Sequence, residues 1–437
     1  MTNPKPETNE TETPPLKPAS ENVWYALATI AGEKSGVGEK SGLTFSEWVD
    51  VQKQNCYFWN GYIRDILGEY EYIELKDDKG QQIELPQLNS AELLHIGEAL
   101  IARGFSDFPN KVYEIYFAGF EFPAVDFSGF IFPYWANFDG ARFTATAVFK
   151  DTVFAGKADF QAAIFTKWAL FQNSNFTDLA VFQKTVFKNQ TDFHNTRFTR
   201  WADFYEAEFN SVVSFNQSKF SGFIDFQRSE FQDSPPQFYD AKISENINWR
   251  DAKFPSDFSA FKKLSENKAG EHVNAYERLA LMMSKLEKHH DRHMFYRLEM
   301  RARRKLEKNL LLKMINFLYE KIANYGYGVG RAASWWLGNI MAGALCLFPW
   351  KGYRLDVLSL EHWGTGIAVW FKALAVSLSH VLGFLGLSRG PLKDMIADYP
   401  KEDLIVPYGL TGTVEAILGA VFLFFLLLCA RNRFRMS

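Results

Sequence analysis

Cysteine is scarce: Cys56, Cys346 and Cys429 are the only three in 437 residues, and no two form a CxxC pair. That spacing excludes a disulfide framework and a cysteine-based zinc site. A dominant charge is also lacking, with 48 basic against 51 acidic residues and a net charge of −3, so nothing calls for nucleic acid as a partner. The N-terminus, MTNPKPETNETETPPLKPAS, lacks the basic-then-apolar order of a signal peptide. Its polar, proline-rich composition predicts a disordered tail over residues 1–20. Long apolar runs are absent before residue 331, so most of the chain is expected to fold in the cytosol. No nucleophile elbow, paired carboxylates, Walker loop or metal-ligand spacing stands out, which argues against an enzyme and against a cofactor. His289, His290 and His293 beside Asp291 are read as a solvated helix surface, because one short run rarely supplies a tetrahedral ligand set.

What the chain has in excess is phenylalanine, 42 residues, concentrated in its middle. In FAGKADFQAAIFTKWALFQNSNF, Phe154, Phe160, Phe165, Phe171 and Phe176 are separated by six, five, six and five residues. The register extends from Phe117 to Phe254, starts with gaps of five, and has a longer step before Phe238. Two residues before a Phe of this register the side chain is usually small, for example Ala136, Ala158, Ala169, Ser174 and Ala202. One large and one small inward residue per short repeat cannot bury an apolar face alone, whereas stacked coils can. Four such sides sum to a 22-residue turn, which predicts columns of stacked rings such as Phe138, Phe160, Phe182, Phe204 and Phe226. About six coils at about 4.8 Å each give a tower of roughly 30 Å.

The recurring A-x-F motifs (ADF, AIF, ALF, AVF, AEF) resemble the pentapeptide-repeat family, whose fold is a right-handed quadrilateral β-helix. The resemblance covers about 140 residues, with an extra residue on alternate sides. An outward position recurs every 22 residues and reads Trp135, Lys157, Leu179, Trp201 and Phe223. Its four apolar members make a candidate interaction stripe, covered either by other segments of the chain or by another protein.

The domain boundaries follow. Residues 21–112 form a mixed α/β region expected to cap the N-terminal end of the β-helix (113–258), since solenoid ends expose unpaired edges. Within it, SAELLHIGEALIARGF predicts a helix capped by Ser90, and YEYIELKDDKGQQIEL a hairpin turning at Asp78 to Gly80. A basic helical neck spans 262–331 and reads as two helices over 274–322. From Lys262 to Arg331 it has sixteen Lys or Arg against eight Asp or Glu. Arg301, Arg303, Arg304 and Lys305 are expected close to a membrane. GYGVG (326–330) is read as a flexible joint.

The remainder, 332–437, is expected to be a membrane domain. Candidate spans lie at about 332–350, flanked by Trp335, Trp336 and Trp350, and about 411–430, followed by RNRFRMS. Basic residues outside both spans place both flanks in the cytoplasm. That makes the apolar segment at about 364–387 a re-entrant or interfacial helix. Span, re-entrant helix, span is the order of a two-span cation channel. Ser377, Ser379, Gly383, Phe384 and Gly386 are the pore-loop-like residues and Gly419 the candidate hinge, although the filter lacks its usual second carbonyl turn. Glu415, near the start of the last span, is read as interfacial.

The order of Phe-rich repeats, FYRLEMRARRK, LYEKIANYGYGVGR, apolar spans and RNRFRM resembles bacterial membrane-bound pentapeptide-repeat proteins over roughly residues 100–437. That resemblance implies the inner membrane, with lipid and an unidentified protein as partners. The reading is a non-enzymatic interaction or sensory scaffold. The alternative is a channel-like homo-oligomer gated by the tower. A minor alternative is a DNA mimic that binds a topoisomerase, weakly supported by eighteen acidic against fourteen basic residues over 111–257.

Overall fold

The computed structural model describes residues 16–33, 45–74, 82–106, 113–243, 246–257, 264–348, 363–382, 404 and 406–434. The expected hairpin turn at 78–80, Trp350, Gly383, Phe384 and Gly386 lie outside them. The chain divides into two compact units, Met1–Ala302 and Arg303–Ser437.

Unit 1 is a ladder of short parallel strands in four sheets. Each strand pairs with the strand one coil away. Ala158, for example, faces Ala136 on one side and Ala180 on the other. The offset is 22 residues through most of the tower. It is 21 at the first coil, where Ile115 faces Ala136, and 23 at the last, where Ile224 faces Ile247. The early five-residue gaps and the long step before Phe238 account for both. The rings stack face to face as expected. Phe138–Phe160, Phe160–Phe182, Phe182–Phe204 and Phe204–Phe226 have centroids 4.7, 5.0, 5.0 and 4.9 Å apart. Phe154 lies 4.7 Å from Phe176 in a second column. The small residues Ala136, Ala158, Ala180 and Ala202 are buried beside them, so the interior is solid aromatic packing.

The five-six alternation has a backbone cause. Every five-residue side that recurs 11 positions apart turns through a left-handed residue two places after its Phe. Gly119, Gly129 and Gly140 come first, then Asp151, Ala162, Asn173, Lys184, Asn195, Glu206, Gln217 and Arg228, with φ between 52° and 73° throughout. The six-residue sides spend their extra residue to turn with negative φ. A left-handed L-residue costs about 1–2 kcal/mol, partly offset by the entropy that glycine loses on folding. Ala162→Gly and Lys184→Gly are therefore expected to raise stability by about 0.5–1 kcal/mol each, and Gly140→Ala to lower it. Denaturant titration of the three variants checks this.

Both ends of the tower are closed by the same chain. Lys17 to Glu21, expected within the disordered tail, are folded. Lys17–Pro18 (β1) pairs in parallel with Phe120–Glu121, because that outermost strand offers unpaired backbone groups. The described residues before the tower also hold three helices, α1 (Val23–Ala28), α2 (Phe45–Glu74) and α3 (Ser90–Ala102). Residues 70–74, expected as the start of a hairpin, continue α2, whose buried Trp59, Ile63 and Leu67 recur every fourth position. The cap of α3 is Asn89 rather than Ser90. Its Oδ1 accepts from the Glu92 N–H at 3.0 Å, and Glu92 Oε2 accepts from the Asn89 N–H at 2.8 Å. Polar side chains of α2 replace a missing coil. Trp59 Nε1–H donates to the Ile131 carbonyl at 2.9 Å, and Asn60 both accepts from the Ile131 N–H and donates to the Gly129 carbonyl at 3.0 Å.

At the far end, α4 (Glu266–Lys285) and α5 (His289–Leu306) cover the last rings. Phe295 meets Trp249 edge-on at 5.3 Å and Phe254 at 5.4 Å. The expected pair of neck helices is a trio, because Asn309 caps a separate helix, α6 (Leu310–Ala323). On α4, His272 Nε2–H donates to the Asp233 carbonyl at 3.0 Å. Burial holds its pKa down to about 4, against the usual 6.5. The unfolded chain therefore takes up this proton first. The contribution of His272 is complete above about pH 6.5 and is lost as the pH falls toward about 4. Melting curves of the full chain should fall across that window, and His272→Gln should flatten the fall.

Unit 2 contains α6, α7 (Val329–Leu347), α8 (Trp363–Val381) and α9 (Tyr408–Phe434). The contacts Ala332 with Cys429, Trp335 with Phe422 and Gly343 with Glu415 run in opposite order along α7 and α9, so the two helices are antiparallel. Among the described residues, Tyr408–Asn432 is the one helix long and apolar enough to cross a membrane. The other expected span, α7, is helical but falls short, because Arg331, Ser334 and Asn339 dilute its apolar run. The apolar part of α8, Ile367–Val381, is shorter still.

Candidate functional site

The tower's lateral faces remain once its ends are capped. On one edge Trp135, Lys157, Leu179, Trp201 and Phe223 follow one another coil by coil. Lys157 Nζ lies 4.7 Å from the centre of the Trp135 ring and 2.7 Å from Asp159 Oδ2. Trp201, 42% exposed, meets Phe223 edge-on at 6.0 Å. Leu179 sits half-buried between these pairs. Two glycines set the pairing, and the sequence reading missed them. A Cβ on Gly156 would stand 2.5 Å from the Tyr134 carbonyl carbon, and one on Gly222 would strike the backbone of Arg200. Each glycine brings its coil close to the one before, immediately ahead of Lys157 and Phe223. Their position beside the stripe residues was the available signal. Trp168, 51% exposed, lies on a different edge. Around the stripe, Arg200 pairs with Asp178 at 3.1 Å.

The expected basic cluster is partly engaged in internal contacts. Arg304 pairs with Glu320 at 2.5 Å and lies 5.5 Å from the Phe317 ring. Arg301 donates to Ser256 Oγ at 3.4 Å. Arg303 is exposed and Lys305 half-exposed. No group of three or more His, Cys, Asp or Glu among the described residues could hold a metal ion.

Unit 2 holds the most concentrated polar chemistry. Glu415, expected at an interface, is instead 3% exposed, enclosed by α7 and α8. Its Oε1 contacts the hydroxyl of Ser377, and its Oε2 lies 2.9 Å from His380 Nδ1. His380 Nε2 is 3.2 Å from the Tyr408 hydroxyl. Ser377 Oγ also lies 2.7 Å from the Ile340 carbonyl on α7, and Asn339 Nδ2–H donates to the Glu415 carbonyl at 3.2 Å. Small residues make the room. A Cβ on Gly343 would fall inside the Glu415 carboxyl group, and one on Gly412 would meet the His380 ring at 3.1 Å. Of the pore-loop-like residues, Ser377 and Ser379 are buried within α8, and Ser379 donates to the Val376 carbonyl at 2.6 Å. Gly419, the candidate hinge, lies inside an uninterrupted α9. Its missing Cβ admits Val381, which would otherwise approach to 2.7 Å.

Comparison with known proteins agrees with the tower. The pentapeptide-repeat profile matches residues 171–218, in nine copies. No curated protein and no solved structure matches the chain. The chain thus carries pentapeptide repeats wound into a β-solenoid of about six 22-residue turns, with flanking helices and one apolar C-terminal helix long enough to span a membrane.

Proposed function

We propose that the protein is a non-enzymatic scaffold whose solenoid binds another protein on the cytoplasmic side of a bacterial inner membrane, held there by unit 2. The observation that carries the membrane part is the outer face of α9. Leu410, Ile417 and Phe424 recur every seventh residue, and all are more than half exposed. An apolar face of that length has no use in water. Because α7 runs antiparallel to α9, Arg331 and Arg431 lie at the same end, which suits a basic boundary on the cytoplasmic side. At that end α6 docks through Tyr319 on Phe425, 5.5 Å apart, and Asn432 Nδ2–H on the Gly326 carbonyl at 3.1 Å. It leaves Leu310, Leu311, Met314 and Phe317 exposed beside Lys313 and Lys321. That combination suits the headgroup boundary of a bilayer. The interaction surface of the tower is the stripe from Trp135 to Phe223.

Two measurements test the reading. The full chain should float with liposomes and resist carbonate extraction; a freely soluble chain sinks the membrane part. Crosslinking from native membranes should capture a protein that Trp201→Ala no longer retains, and equal capture by both forms removes the stripe from the reading.

A channel-like homo-oligomer is the second reading, favoured by α8, an apolar helix packed against both α7 and α9. The inward bonds of Ser377 and Ser379 count against a pore lined by those hydroxyls. A monomer in native-like bilayers, with no ion flux after reconstitution, removes it.

A further inference from the structure

We propose that Glu415, His380 and Ser377 form a proton-binding site among α7, α8 and α9. Loss of the proton reverses the hydrogen bond between Glu415 on α9 and Ser377 on α8 and breaks the one that ties α8 to α7. The inference deepens the membrane reading of unit 2 and rests on it for the apolar surroundings of the site.

Hydrogen-bond counting carries the argument. The Ser377 hydroxyl has one proton and two oxygen neighbours, the Ile340 carbonyl at 2.7 Å and Glu415 Oε1. Both contacts are satisfied together when Ser377 donates to the carbonyl and a protonated Glu415 donates to Ser377. The rest of the chain then falls into one direction. The Tyr408 O–H donates to His380 Nε2, and His380 Nδ1–H donates to Glu415 Oε2. Every link has one donor and one acceptor, and no net charge lies in the bundle.

Removing the proton from Glu415 leaves a carboxylate that can only accept. The Ser377 proton then turns to Oε1, and the Ile340 carbonyl on α7 loses its partner on α8. The Glu415–Ser377 contact persists with its direction reversed, the Ser377–Ile340 bond is lost, and the proton leaves to solvent. An ionised carboxylate in an apolar site needs a facing cation, so the groups around Glu415 decide what can accompany the proton. From α8 the groups facing Glu415 are His380 and Ser377. From α9 Tyr408 reaches it through His380. From α7 the neighbours are Asn339, Ile340 and Gly343, none titratable. Lys372 on α8 and Arg331 on α7 are exposed, and Cys346 on α7 is half-buried. Gly343 and Gly412 let the carboxyl and the imidazole lie directly against neighbouring helices, so a change in this bond is felt by the packing of all three.

Infrared difference spectroscopy of the full chain in phosphatidylcholine bilayers, taken between about pH 5 and about pH 9, reads the site directly. A protonated-carboxyl C=O band is expected that disappears as the pH rises and is missing in Glu415→Gln. Ser377→Ala removes only an oxygen and should shift the same band in a folded protein, which keeps the test valid where Glu415→Gln fails to fold. Carboxylate and imidazolium bands alone across the range would assign the proton to His380 and overturn the proposal. A band unchanged in both variants would overturn it as well. Flotation of the same sample separates the two readings. A chain that keeps the band but does not float refutes membrane insertion and leaves the site. A chain that floats without the band refutes the site.

Discussion

A Phe182→Ala variant is expected to lose about 3–5 kcal/mol of solenoid stability, a drop of about 10 °C or more in melting temperature. Phe182 is fully buried, with Phe160 and Phe204 each 5.0 Å away along its column. Phe171 and Phe193 meet it edge-on at 5.7 and 5.5 Å from a neighbouring column. The backbone on every side belongs to four hydrogen-bonded sheets, so the walls cannot collapse into the space left behind. Phe182→Leu, which keeps most of the volume, should cost only about 1–2 kcal/mol. A solenoid is stabilised coil by coil through its nearest neighbours. Hydrogen exchange should therefore rise first in the coils holding Phe160 and Phe204 and last at the ends held by α2 and α5. Uniform exchange along the tower, or a loss below about 1 kcal/mol, would show that the columns are not what holds the coils together.

The tower was legible because its physics is local and periodic: a buried ring at every fifth or sixth residue leaves a trace in one dimension. The turns that produce the rhythm were not legible. Their left-handed positions are filled by Ala162, Lys184, Glu206, Gln217 and Arg228 as readily as by glycine or asparagine, so residue type gives no warning. The ends were legible in role and not in form. The alternation in YEYIEL suggests a strand, yet Tyr70 to Glu74 continue the helix that Trp59, Ile63 and Leu67 anchor. Glu415 shows the deeper limit. Near the start of an apolar helix, a carboxylate reads as an interfacial residue. Its partner His380 is 35 positions away, and only the packing of α8 on α9 brings them together. Gly343 was likewise silent, since a glycine in an apolar run signals its purpose only when the carboxyl it accommodates is known.

Gly343→Ala is expected to destabilise unit 2 by about 1–3 kcal/mol, although alanine is the better helix former. The new methyl would occupy the place of the Glu415 carboxyl. To relieve the overlap, the carboxyl must leave Ser377 and His380 or α7 must move off α9. Gly338, five residues earlier on the same helix, has nothing within 4 Å of a Cβ. There Gly338→Ala should raise stability by about 0.5–1 kcal/mol through helix propensity alone. The decisive comparison is with Glu415→Ala, which empties the contested space. In that background Gly343→Ala should cost little, giving a coupling energy of about 1 kcal/mol or more between the two positions. Unfolding in mixed micelles, followed by the fluorescence of Trp335 against Phe422, measures all four forms. Additive effects would mean that Gly343 serves the α7–α9 crossing for a reason unrelated to Glu415. Coupling would show that the helix pair is built around its one buried carboxyl.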